Sequence, residues 1–324
     1  MAKAVRIHQI GGPEVLQWEE TEIGKPSPEE ARIKQTAIGL NYIDVYHRTG
    51  LYPIGDLPTS LGTEAAGVVE EVGEKVTNVA VGDRVAYAPV IGAYAESRLI
   101  LADKLVKLPD SINDQTGAAM MLKGMTASYL IRKTYAVQAG DPVLIMAAAG
   151  GVGQILSQWA KHLGATVIGC VGSEEKAIIA RSAGCDYTIL YNTEDVATRV
   201  KEITGGEGAV VSYDSVGEAT FLASLDSLRP FGYMVSYGNA SGPVEALKVA
   251  DLASRGSLFF TRPSLMPHTA TRPQLDDLSQ SLISLVASKT ITITINQRYD
   301  LENIRQAHED LEARRTSGST VLIT

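Results

Sequence analysis

The sequence predicts an α/β protein of two domains, one a doubly wound parallel sheet and the other β-rich. Three observations carry that expectation. The 324 residues exceed what one hydrophobic core serves, which is roughly 250 to 300 residues. From about residue 125, short apolar runs begin to alternate with segments of helical period, as βαβ units require. Within that region, LIMAAAGGVGQILSQWA carries a strand directly into a glycine-rich turn and then an amphipathic helix.

The first third holds AVRIHQI, ARIKQTAIGL, AAGVVEEVG, RVAYAPV and YAESRLI. These apolar runs, separated by glycine and proline, read as strands of the β-rich domain. Val143 to Met146 opens the parallel series. Ile155, Leu156, Trp159, Ala160 and Leu163 then recur at helical spacing, and a second strand follows at Thr166 to Val171. Further buried strands are expected at Tyr187 to Leu190, Val210 to Tyr213, Tyr233 to Tyr237 and Leu258 to Thr261, about six in one series. After Arg262-Pro263 come a helix around Gln274 to Ser288, the run ITITINQRY, another helix and a final VLIT, which suggest that the β-rich domain resumes. The expected boundaries are 1–124, 125–262 and 263–324. There is no internal repeat or low-complexity tract, so solenoid architectures drop out.

Hydrophobic residues make up 45% and charged residues 20%, the composition of a chain able to bury a core. A net charge of -8 offers no basic field for phosphate backbones or anionic lipid, which argues against nucleic acid and membranes as partners. Apolar runs stay well short of the ~20 residues that span a bilayer, and MAKAVRIHQIGG lacks the long apolar stretch of a secretory signal. A cytoplasmic location is the resulting expectation. The two cysteines, Cys170 and Cys185, suit neither a disulfide framework nor a four-ligand metal site and read as buried thiols.

Against the dinucleotide-binding pattern G-x-G-x-x-G, Ala148 takes the first glycine position, Gly150 the second and Gly153 the third, with Gly151 added between. Gly150 and Gly151 let the backbone approach a pyrophosphate, and Gly153 lets the helix pack on the sheet. The amides of Ala149, Gly150, Gly151, Val152 and Gly153 then face the ligand at a positively polarised helix start. Alanine at the first position is tolerable if that residue keeps a negative φ.

An enzyme that prefers NAD carries Asp or Glu about 20 residues past the loop. Here that place reads Cys170-Val171-Gly172-Ser173. A small hydroxyl leaves room for a 2′-phosphate that a carboxylate would repel. Lys176 lies within reach of the same phosphate, and Tyr191 ends the third strand beside that corner. The expected cofactor is NADPH.

Longer matches fix a family. GGPEVLQ (11–17), GLNYIDVYHRTGLYP (39–53), LGTEAAGVVEEVG (61–73), VGDRVAY (81–87), LKGMTASYLIRKTY (122–135), AAAGGVG (147–153), YDSVG (213–217), VSYGNASG (235–242) and GSLFFTRPSL (256–265) occur together. In these segments the chain resembles the zeta-crystallin-type quinone oxidoreductases of the medium-chain dehydrogenase/reductase superfamily, over essentially its whole length. The resemblance implies a GroES-like catalytic domain built from both chain ends, around an inserted Rossmann domain. Alcohol dehydrogenases of that superfamily hold a catalytic zinc with a Cys and a Gly-His-Glu motif. Asn41 and Gly62-Thr63-Glu64 stand at those positions here, and zinc catalysis is excluded on ligand count. Glu64 is left with a structural role.

The activity implied is NADPH-dependent reduction of a quinone without a metal. By the same resemblance Asn41 contacts the cofactor ribose or nicotinamide side, Asp44 anchors its loop, and Tyr46 and Tyr52 offer rings and hydroxyls to the substrate. Thr126 and Tyr129 approach the cofactor, as do Val216 and Gly217 after the fourth strand and Tyr237, Gly238 and Asn239 after the fifth. Arg262 and Arg314 complete the implied contacts. The apolar segment 256–264 would form an open sheet edge, which proteins cover or pair, and the resemblance implies that it pairs with its twin in a homodimer. Two alternatives stand: an alkenal or enone double-bond reductase on the same domains, and an RNA-binding or crystallin-like structural protein.

Overall fold

The computed structural model describes residues 2–324. In chain order the first elements are β1 (Ala2–Ile7), β2 (Gln17–Thr21), β3 (Glu30–Leu40), α1 (Tyr42–Thr49), β4 (Thr59–Ser60), β5 (Glu64–Val72), β6 (Arg84–Tyr87), β7 (Ser97–Leu101), β8 (Val106–Lys107) and α2 (Asp114–Tyr129). A π-helical turn, Leu130–Thr134, follows α2. Next come β9 (Pro142–Met146), α3 (Gly151–His162), β10 (Thr166–Val171), α4 (Glu174–Ser182), β11 (Tyr187–Leu190), α5 (Val196–Ile203), β12 (Ala209–Asp214), α6 (Phe221–Asp226), β13 (Leu228–Ser236), α7 (Val249–Ser254) and β14 (Phe259–Thr261). The chain ends with α8 (Leu265–His268), α9 (Arg272–Ala287), β15 (Ile295–Asp300), α10 (Ile304–Glu312) and β16 (Ser319–Ile323).

Two compact units result. Unit one comprises Met1–Met125, His268–Ala287 and Ile293–Thr324, and unit two Thr126–Pro267 with Ser288–Thr292.

Unit two is built on a six-stranded sheet in the order β11-β10-β9-β12-β13-β14, every pairing parallel. Its central strands are apolar on both faces because helices cover both; β12 is buried along its whole length. From α3, the predicted stripe of Ile155, Leu156, Trp159 and Ala160 is buried. Ile155 and Leu156 each contribute about 1.5–3 kcal/mol by leaving water, and the Ala160 methyl about 0.8. The fifth strand starts at Leu228, five residues before the predicted Tyr233. Arg229-Pro230-Phe231 hide this start, because a bulge interrupts the pairing between Ala209/Leu228 and Val211/Tyr233. Phe231 occupies the bulge in left-handed backbone, φ 61°.

Unit one carries a seven-stranded sheet, β15-β16-β3-β5-β6-β8, with β7 on the free length of β3. Strand β3 pairs with β5 on one side. On the other it meets β7 through residues 30–34 and the returning strand β16 through residues 37–40. Val5, Ile33, Ile38, Leu61, Val85, Tyr87, Ile304 and Leu322 form the core beneath it. Two sequence readings are shortened by the structure. YAESRLI is strand only from Ser97, since Tyr94 and Ala95 are spent on a buried corner, and ITITINQRY only from Ile295.

Phe231 is 68% exposed, so its ring gains little from burial while its backbone bears the left-handed cost of about 1–2 kcal/mol. Phe231→Gly removes that cost against an entropy loss of up to about 1 kcal/mol. A net gain of about 0.5–1 kcal/mol is expected, read as a higher urea midpoint at unchanged slope. An unchanged or lower midpoint would refute this account of the bulge.

Candidate active site

In unit two the strands' carboxyl ends share one edge, and the strand order reverses between β9 and β12, the place where such sheets bind ligands. The loop after β9 lies there. Ala147 takes the left-handed conformation at φ 55°, and Ala148, at the first glycine position, is spared it, as an alanine there requires. Ala148 then donates its N–H to Cys170 O at 3.1 Å. Gly150 caps α3 with no side-chain partner, and a Cβ placed on it would meet nothing nearer than Ala147 O at 3.2 Å. The α3 N-terminus is thus open to an anion. Gly153 is the opposite case: a Cβ there would sit 2.8 Å from Ala148 Cα. The missing side chain is what lets α3 lie against the turn.

After β10, Gly172 is as confined. A Cβ on it would stand 2.8 Å from the Tyr191 hydroxyl, so Gly172 and Tyr191 meet as expected. Ser173 is the N-cap of α4, accepting a long 3.4 Å bond from Lys176 N. The same hydroxyl bonds the Glu175 carboxyl and holds it below its ordinary range. Glu174 pairs outward with Arg181 at 2.7 Å.

The loops after β12 and β13 are pressed together. Asp214, fully buried, accepts from Val216 N (2.7 Å), Gly217 N (3.1 Å), Thr220 Oγ1 (2.8 Å) and Ser224 Oγ (2.7 Å). Gly217 has φ 93° and no room for a Cβ beside Gly242 O, and a Cβ on Gly238 would lie 2.8 Å from Ser215 Cα. Tyr237 N–H donates to Asp214 O at 2.8 Å. Arg262 Nη1 donates to Ser236 O at 3.2 Å, and its Nη2 lies 3.3 Å from the Asn239 amide. Thr126 and Tyr129, both buried, close α2.

Unit one holds a second constellation. Asn41 begins α1, its N–H donating to Asp44 Oδ2 at 2.9 Å. Thr63 Oγ1 (2.9 Å) and the Tyr94 hydroxyl (3.0 Å) donate to the same carboxylate. Tyr94 also meets His308 Nε2 at 3.1 Å, and Arg48 Nη1 lies 2.9 Å from His308 Nδ1. A guanidinium only donates, so Nδ1 is the acceptor and Nε2 carries the hydrogen. Glu64, with no exposure, accepts from Lys123 Nζ (2.6 Å), Leu122 N (2.7 Å) and Asn41 Nδ2 (2.9 Å). Burial pushes Asp44 up to about 7, and burial beside Arg48 pushes His308 down to about 3. The rings of Tyr46 and Tyr52 meet edge to face at 5.1 Å. Arg314 lies just past α10, in left-handed backbone at φ 58°.

The sequence reading missed Arg48, Tyr94, Lys123, Asp214 and His308. Asp214 closes a buried strand, and a carboxylate in that position was the available signal. The others lie at sequence separations that no local pattern connects.

An all-parallel sheet with an uncapped, glycine-lined helix start at its switch point defines a dinucleotide-binding oxidoreductase architecture. Residues 27–137 match the alcohol dehydrogenase GroES-like domain, and residues 151–284 the zinc-binding dehydrogenase family. A quinone oxidoreductase of Salmonella typhimurium is 51% identical over all of both chains. A 2-haloacrylate reductase of Burkholderia is 47% identical over 100% of this chain and 99% of its own. The crystal structure of Escherichia coli quinone oxidoreductase complexed with NADPH superposes with a TM-score of 0.97, at 47% identity and full coverage of both chains. The chain belongs to the quinone oxidoreductase family of medium-chain dehydrogenases/reductases.

The zinc in the second family description does not fit these residues. Asn41 and Thr63 are not soft ligands, Thr63 is bonded to Asp44, and the Lys123 ammonium occupies the Glu64 carboxylate. Among the described residues no group of three or more His, Cys, Asp or Glu side chains is placed to hold a metal ion, and no helix is long and apolar enough to cross a membrane.

Asp44 and His308 give the stability of unit one opposed pH slopes. His308 ordinarily titrates at 6.5 and is lowered here, so its contribution is full above that value and is lost as pH falls. Asp44 ordinarily titrates at 3.8 and is raised here, so its contribution is full below that value and is lost as pH rises toward 7. Between about pH 6 and 4 the two slopes offset. Asp44→Asn exposes the His308 slope: the variant loses up to about 1.4 kcal/mol per pH unit more than the wild type on acidification. Urea unfolding at several pH values checks this, and parallel profiles would contradict it.

Proposed function

We infer that this chain is an NADPH:quinone oxidoreductase that works without a metal. The observation that carries the reading is the uncapped start of α3 at the sheet's switch point, joined to full-length kinship near 50% with quinone oxidoreductases. When bound, NADPH supplies the hydride.

The chain's own residues position and enclose. The amides of Ala149, Gly150, Gly151, Val152 and Gly153 receive the diphosphate. Gly172 leaves space at the adenosine corner, where Ser173, Lys176 and Tyr191 take the 2′-phosphate; Glu175 swings from the Ser173 hydroxyl to admit it. Val216, Gly217, Tyr237, Gly238 and Asn239 form the wall along which the nicotinamide half lies, with Thr126, Tyr129, Arg262 and Arg314 as further contacts. Asp214 holds the first part of that wall from beneath. Asn41 serves the nicotinamide side, and Tyr46 and Tyr52 serve the quinone, where a hydroxyl hydrogen bond to the developing quinol oxygen stabilises charge. A quinone takes hydride readily, which suits a site with no Lewis acid.

A second reading, reduction of an activated carbon–carbon double bond, is favoured by the kinship with a 2-haloacrylate reductase. The net charge of -8 weighs against an RNA-binding role. The catalytic domain is assigned to 1–124 and 263–324, the cofactor domain to 125–262, and the protein to the cytoplasm. A homodimer through segment 256–264 is supported by β14, which ends the sheet with Phe259 half exposed and stacked on Tyr233 at 4.7 Å.

Following NADPH consumption with quinones, activated alkenes and alcohols tests the activity; turnover of alcohols without quinones would overturn it. Lys176→Ala is expected to raise the KM for NADPH about tenfold or more, the loss of one charge-assisted bond, with the KM for NADH nearly unchanged. Equal changes for both would remove the 2′-phosphate assignment.

A further inference from the structure

Asn192 follows β11 by two residues and has no part in the mechanism above. It is exposed, yet its amide is held, with Nδ2 donating to Gly172 O at 2.8 Å. A backbone carbonyl only accepts, so the end of the amide on Gly172 is its NH2. One hydrogen of that group is spent there, and the second has no partner among the described residues. Asn192 thus ties the loop after β11 to the loop after β10 and still has a donor to offer.

Gly172 fixes where that donor stands. A Cβ built on Gly172 would meet the Tyr191 hydroxyl at 2.8 Å and Asn192 Nδ2 at 3.4 Å. Polar groups of two consecutive residues therefore converge on one point, just past the carboxyl end of β10 and next to Ser173. In a dinucleotide-binding sheet the residues at that strand end meet the adenosine ribose at its 2′ position. Three carboxylates of the two loops are engaged by donors of their own. Glu174 pairs with Arg181, Asp195 accepts from Thr198 N at 2.8 Å, and Glu194 accepts from Leu190 N at 2.7 Å with Arg199 Nε 3.1 Å from its other oxygen. Only Glu175 turns to the Ser173 hydroxyl.

We propose that Asn192 is a specificity-determining residue that donates its second amide N–H to the 2′-phosphate of NADPH, beside the Tyr191 hydroxyl. The bond to Gly172 O sets the amide in place before the cofactor arrives, so little side-chain freedom is lost on binding. A carboxylate at this position reverses both effects, since it cannot donate to Gly172 O and it repels a phosphate. The proposal rests on the NADPH reading of the Gly172–Ser173 corner given above.

Binding to the full-length protein, without turnover, tests it: NADPH and NADH by fluorescence titration, 2′,5′-ADP and 5′-ADP by calorimetry. Asn192→Ala is expected to raise the Kd for NADPH and 2′,5′-ADP about fivefold or more, leaving NADH and 5′-ADP within about twofold. Asn192→Asp should weaken the two phosphorylated ligands further, about tenfold or more, with NADH again within about twofold. The side chain is exposed, so neither substitution opens a cavity. Equal weakening of all four ligands would confine Asn192 to holding the loops together and overturn the proposal, as would unchanged affinities in Asn192→Ala. Wild-type protein that binds 2′,5′-ADP no better than 5′-ADP would remove the NADPH reading itself, and the proposal with it.

Discussion

A carboxylate removed from water has to be met by donors on every side, and that requirement organises both units. Glu64 meets it with a helix amide, an ammonium and a side-chain amide. Those partners come from α2 and from the residue that starts α1, so one charge ties the first residue of β5 to both helices. Asp44 repeats the logic one turn into α1, drawing Thr63 and Tyr94 to itself. An apolar residue at either place would leave several buried donors without acceptors, a larger loss than the contacts themselves contribute.

Asp214 does the same for unit two. With β12 fully buried, its last carboxylate turns into the following loop and saturates two amides and two hydroxyls. The start of the loop is thereby pinned from beneath. Glycines then bring neighbouring backbone close: Gly217 and Gly238 allow the two loops to touch, and Gly153 allows α3 to sit on its own turn. A surface made of backbone amides is suited to a ligand whose charge lies on phosphate oxygens.

The parallel sheet was legible because its determinants are local. Apolar runs, the glycine turn and the helical stripe of Ile155, Leu156 and Trp159 each lie within a few residues of one another. Where local and long-range demands differed, the reading slipped: Arg229-Pro230-Phe231 does not look like strand, yet pairing with β12 and a bulge make it one. The glycine pattern located the loop after β9 and the condition that Ala148 avoid positive φ, while nothing about Ala147 itself announces φ 55°. The resemblance supplied Asn41 and Asp44 but not their supports. Tyr94 and His308 are separated by 214 residues and become neighbours only through the tertiary fold, so their pairing has no signature in a single sequence.

Strand β16 sits between β15 and the carboxyl half of β3. Synthesis delivers it nearly three hundred residues after its partner. Until then the half of β3 around residues 37–40 keeps an unsatisfied row of amides and carbonyls, an exposed edge prone to pairing with other chains. Nearly all of unit two emerges earlier and is contiguous apart from Ser288–Thr292. On the ribosome it can acquire its structure while unit one still waits for β16, so the arrival of that strand governs when the edge of β3 is safe from aggregation.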